Sequence, residues 1–437
     1  MKNRRPTCRI ALIAVGLLVV SREVPAQTDP VIRALADSVS SVRMLETVRT
    51  LERAGGTGSR MNFTPGNDSA RILLLRTLAS LPRVTAGSDT FFVPAEVPYD
   101  ARPLFNVFAR LPGSVDSSTA VVIGAHYDSQ AGRDTAVWST GWYTARAPGA
   151  DDNASGVAGV LEVARLLTTS GYANRLRVYF VAFGAEEGTT PGIASYLNGS
   201  RHFAQRLRAD GVNVVAFINL DMIAYNPLAL VGTIVADSQS QELGQRVAAL
   251  NAAYDCGLSL NAAPYPANRW SDHASFWDQG YPAVLLIEHF DVVKADSVYP
   301  GNPNYHHASD TSGALNPSLL EAFCRLALVS VAEISERGVA VTAVQGREVR
   351  PEDFTLAAYP NPFNPAVTLE LSLGRASEVR VDIFDVLGRR VDTLVQGLLE
   401  AGRHRLKWTA AGRASGFYLA KVSAETGIRS VRLLLLR

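Results

Sequence analysis

Between residues 120 and 290, four almost wholly apolar runs each end in acids or histidines: AVVIGAHYDS, RVYFVAFGAEEG, VVAFINLDM and AVLLIEHF. Runs this continuous lack the alternation of a half-exposed strand and read as sheet strands buried on both faces. Amphipathic helical patterns separate them: GVAGVLEVARLL, a stretch near IASYLNGSRHFAQRL, and QELGQRVAALNAAY. The alternation predicts an α/β unit, a mixed, mostly parallel sheet covered by helices on both faces. In such open sheets the working groups lie just beyond the carboxyl ends of the strands. The polar clusters fall there.

Flanking segments extend the same unit. Apolar residues spaced by three and four predict helices from about Asp29 to Arg83. FFVPA, FNVFARL and ALVGTIVA read as further strands, and a closing helix runs from Pro317 to Glu336. The helical segment before Arg83 reads either as part of this unit or as a propeptide. Beyond Arg337 the texture changes to short alternating segments (VTLELSL, EVRVDIFDV, HRLKW, FYLAKVSA, SVRLLLL) divided by turns such as LGRR and AGRH. These predict a small all-β sandwich. At 437 residues the chain exceeds what one core usually serves. The expected order is a signal peptide over 1–26, an enzyme-like unit over 27–337, a linker over 338–352 and the sandwich over 353–437.

The first segment has a basic start, an apolar run from Ile10 to Val20 and small residues near Ala26, the pattern of a cleaved export signal. The run is shorter than the roughly 18–20 residues that span a bilayer, and no later segment qualifies. The expectation is a secreted or cell-surface protein with no membrane span in the mature chain. A formal charge of +1 gives no electrostatic case for nucleic acid. Cys8 leaves with the signal, and Cys256 and Cys324 read equally as one disulfide or two buried thiols.

The strand-end residues carry chemistry in combination. His126 and Asp128, two apart, can project to one side, where a carboxylate would orient a metal-bound imidazole. Glu186 and Glu187 are adjacent, so their side chains diverge; one can face a cation and the other a water. Asp221 sits among apolar residues, and YHHASDT adds His306, His307 and Asp310. In DDNASGV, Asp151 and Asp152 open a helical pattern, where Asp151 reads as the neighbour that orients the turn or as an ordinary cap.

Together HYDS, GADDNASG, FGAEEG, NLDM and YHHASDT, in that order, resemble the co-catalytic di-zinc aminopeptidases of the bacterial leucyl aminopeptidase type. The resemblance covers roughly residues 30 to 337 and takes in WSDHASFWDQGYPAVLLIE. It implies a zinc exopeptidase fold and two Zn²⁺ ions. His126 and Asp221 would bind one, Glu187 and His306 the other, and Asp152 would bridge them; His307 stands where a small polar residue is more usual. Glu186 would be general base to a metal-bridging hydroxide, Asp128 would support His126, and peptides would lose N-terminal residues. By the same resemblance Trp270, Asp272, His273 and Phe276 are pocket candidates. Readings left open on this fold are a carboxypeptidase or dipeptidase, a glutaminyl cyclase-like enzyme, and a non-catalytic surface protein.

YPNPFNPAVTLELSL, IFDVLGRRV and the terminal SVRLLLLR resemble the C-terminal sorting and immunoglobulin-like domains of secreted bacterial enzymes. That implies type IX secretion machinery as a partner.

Overall fold

The computed structural model describes residues 28–93, 99, 101–188, 190, 195–262, 268–337, 354–373, 376–385, 389–424 and 427–436. The signal segment and the linker expected over 338–352 lie outside the described residues. Two compact units divide the chain, one running to Val341 and the other from Thr342.

In chain order the first unit holds α1 (Pro30–Asp37), α2 (Ser41–Glu52), α3 (Pro65–Ala79), β1 (Thr85–Phe91), β2 (Leu104–Leu111), β3 (Asp116–His126) and α4 (Thr135–Gly141). Then follow α5 (Gly156–Thr169), β4 (Leu176–Phe183), α6 (Asn198–Ala209), β5 (Asn213–Leu220), β6 (Val231–Val235) and α7 (Gln241–Ala253). The unit closes with β7 (Ser259–Asn261), α8 (His273–Trp277), β8 (Ala283–Ile287) and α9 (Pro317–Arg337). The first three helices start on side-chain caps: Asp29 accepts from Val31 N, Ser40 from Arg43 N, and Thr64, followed by Pro65, from Asn67 N.

The strands form one sheet in the order β1-β2-β4-β3-β5-β8-β6-β7. Its centre, β4-β3-β5-β8, is parallel, while β1, β2 and β6 join antiparallel. Alternate residues feed two cores: Val121, Ile123 and Ala125 pack on the side of α5 and α9, and Ala120 and Val122 pack with Phe203 of α6 and Phe276 of α8. Register places His126 beside Phe183, Gly124 beside Asn219 and Leu220 beside Leu286. Four strand ends therefore finish side by side.

In this unit two of the predicted elements are displaced from where the sequence places them. The strand expected over FFVPA begins earlier, at Thr85, and ends at Phe91; as a half-exposed edge it takes the polar run TAGSDTF. The helix expected near IASYLNGSRHFAQRL occupies its later part, starting at Asn198 just after Leu197, which holds the left-handed region with φ 59.

The second unit contains β9 (Phe354–Tyr359), β10 (Ala366–Leu373), β11 (Ser377–Asp385), β12 (Arg390–Leu399), β13 (Gly402–Thr409), β14 (Gly416–Ala424) and β15 (Gly427–Leu435). They form antiparallel sheets in the orders β13-β10-β9 and β12-β11-β14-β15. Trp408, Leu369, Leu371, Val381 and Val422 are in the core between them. β12 escaped the sequence reading because its residues are half-buried or exposed along its whole length. Cys256 and Cys324 are free, buried thiols. Among the described residues no helix is long and apolar enough to cross a membrane.

Candidate metal centre

His126 is the last residue of β3, Glu186 and Glu187 stand three and four residues past β4, and Asp221 directly follows β5. Asp152 comes from the irregular turn Ala150–Ser155 that leads into α5, and His306 from the loop before α9. Ala185, Met222 and His306 each hold a positive φ, of 55, 51 and 60. For non-glycine residues such backbone costs of order 1–3 kcal/mol and persists only where the surroundings enforce it. Each lies at or beside a candidate group.

These side chains converge on Asp152. One of its oxygens lies 3.2 Å from His126 Nε2 and the other 3.1 Å from His306 Nε2. Asp221 Oδ1 is 3.5 Å from the same His126 nitrogen, and Glu187 Oε1 is 3.2 Å from that of His306. Glu186 Oε2 stands 4.0 Å from His126 Nε2. All five carboxylate and imidazole groups other than His306 are buried. His307 turns away and pairs with Asp134 at 2.6 Å.

The donor set fits a metal on two independent grounds. Ligands bound at about 2.0–2.2 Å around a tetrahedral ion sit roughly 3.3–3.6 Å apart, close to the nitrogen–oxygen separations here. Moreover, Glu187 Oε1 and Asp221 Oδ1 are buried without a hydrogen-bond donor, an expensive state that a cation would relieve. The opposite oxygens are held: Gln130 Nε2 donates to Glu187 Oε2 and Ser271 Oγ to Asp221 Oδ2, both at 2.6 Å. Each terminal carboxylate thus turns one bare oxygen toward a histidine. His126, Asp152 and Glu187 can together offer ligand atoms to one ion.

Asp128 acts differently from the sequence picture. Its carboxylate lies 3.6 Å from His126 Nδ1, beyond a good hydrogen bond, while its own main-chain oxygen is nearer, at 3.3 Å. The carboxylate instead accepts the N–H groups of Glu186 at 3.2 Å and Glu187 at 3.1 Å. It fixes the acidic dipeptide as well as the end of β3.

Asp151 does not cap α5. Asn153 accepts from Gly156 N at 3.0 Å, whereas Asp151 accepts from Ala224 N at 2.9 Å and Asn302 Nδ2 at 3.0 Å. The fourth strand-end cluster braces the same region: Glu288 accepts from Tyr225 N and Tyr299 OH. Sequence reasoning named Asp310 but missed its task, which is to accept the N–H groups of Asp151 at 2.9 Å and Asp152 at 3.0 Å. Of the pocket candidates, Trp270 is 84% exposed, but Asp272, His273 and Phe276 are buried. Phe276 stacks on Phe217 in the core.

Without a cation the cluster is electrostatically strained. Burial pushes Glu186 well above the ordinary carboxylate range; His126 opposes this, while Glu187, Asp272 and Asp221 reinforce it. Glu187 is raised by burial and Asp152. Burial would depress His306, but Glu187 and Asp152 raise it to about 10. Asp152 is lowered, since hydrogen bonding to His126 and His306 outweighs its burial.

The sequence model of peptidase family M28 matches residues 106–331, and that of the secretion system C-terminal sorting domain matches residues 357–435. The uncharacterized protein YfbL of Escherichia coli is 30% identical over 302 residues, 63% of this chain and 83% of that protein. A probable zinc metalloprotease of Pyrenophora tritici-repentis is 27% identical over 308 residues, 61% of this chain. This chain spans only 60% of that fungal relative. Among solved structures, the LapA aminopeptidase of Legionella pneumophila is similar in fold, with a TM-score of 0.56 at 21% identity. That likeness covers 73% of this chain and 79% of LapA.

Proposed function

The chain belongs to peptidase family M28, and from that premise we propose that it is an exported di-zinc aminopeptidase, removing N-terminal residues from peptides. One observation carries this reading: the two oxygens of Asp152 face two histidines, at 3.2 and 3.1 Å, each histidine backed by its own bare carboxylate oxygen. His126 and Asp221 would hold one Zn²⁺, Glu187 and His306 the other, and Asp152 both. When bound, the pair would polarise the scissile carbonyl and acidify a water enough to attack near neutral pH. Three ligand carboxylates would offset three of the four positive charges of such a pair.

Glu186 is the proton carrier. Its buried carboxyl stands 4.0 Å from His126 Nε2, beside the ligand set rather than within it, where a carboxylate can both accept and return a proton. It takes the proton of the attacking water and delivers it to the leaving amine. Asp128 holds the Glu186 and Glu187 amides, so base and ligand keep their divergent directions. The sorting domain supplies the export address, consistent with a signal peptide over 1–26 and with peptide substrates outside the cell.

The test is hydrolysis of leucyl reporters with free and N-acetylated amines, before and after chelation. The free amine is expected to be cleaved, the acetylated one spared, and chelation to abolish activity until zinc returns. Cleavage of N-blocked peptides from a free C-terminus would make the enzyme a carboxypeptidase. Cyclisation of N-terminal glutamine would make it an acyl-transfer enzyme, and inertness toward all of these would leave a non-catalytic surface protein.

A further inference from the structure

The family match begins at residue 106, yet the two loops that carry His126, Asp128 and Asp152 are braced by the segment between α2 and α3. Arg60 is wholly buried. Its Nε donates to Tyr127 O at 2.7 Å, Nη1 to Pro148 O at 2.5 Å and Nη2 to Gly149 O at 2.8 Å. Its N–H donates to Ser129 Oγ at 3.0 Å, and that hydroxyl donates to Ala147 O at 2.6 Å. One planar fork thereby joins the end of β3 to the turn before Asp152. Asn62 adds a second tie, donating to Asp128 Oδ2 at 3.1 Å and to Gly188 O.

A buried guanidinium is costly unless its donors are used and opposite charge lies near. Here all three nitrogens donate to carbonyls, and the charges facing it are Asp310, Asp128, Asp152 and Glu52. Gly149 shows how closely the turn is moulded around it: its φ is +53, and a Cβ there would lie 2.4 Å from Asp152 O and 2.9 Å from Arg60 Nη2. The helices on either side belong to the main core, with Val48, Leu51 and Leu74 wholly buried.

We propose that Arg60, helped by Asn62, is a positioning residue that sets the spacing between the His126 loop and Asp152. It follows that the segment before Arg83 stays with the active enzyme and is not a removable propeptide. This rests on the zinc reading of the centre and not on the choice of substrate. Lysine keeps the charge but lacks the fork, so it can serve only part of the set.

The experiment uses the exported chain with Arg60→Lys and Asn62→Ala. Zinc affinity is measured by chelator competition, kcat and KM at saturating zinc, and folding by circular dichroism and Tm. Zinc affinity is expected to fall about 10- to 100-fold, as for other groups that orient ligands, with kcat falling and KM unchanged. A merely structural role would lower Tm and leave zinc affinity and kcat of the folded fraction intact. If Arg60→Lys does not fold, Asn62→Ala decides by the same readouts. N-terminal sequencing of the zinc-loaded active species is expected to place its start before Arg60. Folded variants with wild-type zinc affinity, or an active species starting after Asn67, would overturn the proposal. Wild-type protein that binds no zinc overturns it together with the metal reading. Wild-type protein that binds zinc but cleaves no aminoacyl reporter refutes the substrate reading, and the zinc affinities still decide this one.

Discussion

Replacing Glu186 by glutamine separates catalysis from stability. Glutamine keeps the shape and removes the proton carrier, so zinc content should be unchanged while kcat falls by roughly 10²–10⁴-fold, about 2.7–5.4 kcal/mol of barrier. Stability should move the other way. Glu186 holds its proton in the folded chain to a pH well above the ordinary value of 4.5. The unfolded chain loses that proton near the ordinary value, so the folded state binds more protons between the two and loses stability as pH rises through that window. Glutamine has nothing to lose there. Freeing a buried, poorly compensated carboxylate is worth on the order of 1–3 kcal/mol. The metal-free variant should therefore melt higher than metal-free wild type at pH 8, by roughly 2–4 °C per kcal/mol, with the gap closing near pH 4. Steady-state kinetics of the zinc-loaded forms and thermal melts in chelator measure both effects. Turnover within threefold of wild type, or loss of zinc from the variant, would show that Glu186 is not the proton carrier.

Other outcomes follow from the same geometry. His306, raised to about 10 without metal, must lose its proton to bind zinc, so uptake at pH 8 should release protons and apparent affinity should strengthen from pH 6 to 9. Calorimetry in buffers of different ionisation enthalpy reads this; a pH-independent affinity would contradict it. Gly149→Ala meets both a left-handed φ of +53 and a contact of 2.4 Å, and should cost about 2 kcal/mol or more with weakened zinc binding; an unchanged denaturation midpoint would contradict the turn described. Cys256 and Cys324 are free and buried, with burial pushing Cys256 up to about 12. Both should be alkylated in denaturant without reductant, and an intact mass showing a bond between them would contradict this.

What could be read from sequence was local. The apolar runs ending in HYD, AEE and LD expose strand ends because burial on both faces forbids polar residues until the strand stops. The long-range braces left no such trace. Asp151 is satisfied by Ala224, 73 residues away, and Asn302, 151 away, so its position beside Asp152 suggested a helix cap that Asn153 provides. Arg60 and Asn62 fall inside the stretch from Asp29 to Arg83 that the sequence reads as helical, in the turn between α2 and α3, and nothing marks them until the fold brings Tyr127, Pro148 and Gly149 around the guanidinium. His306 and His307 are adjacent and chemically alike; only the loop's turn, with φ 60 at His306, points the first inward.

In the proposed centre Asp152 is shared by two zinc ions. Elemental analysis of the purified wild-type enzyme and of Asp152→Asn tests it most directly. Two zinc ions are expected per wild-type chain and fewer than one in the variant. One ion or none in the wild type, or two retained by Asp152→Asn, would contradict it.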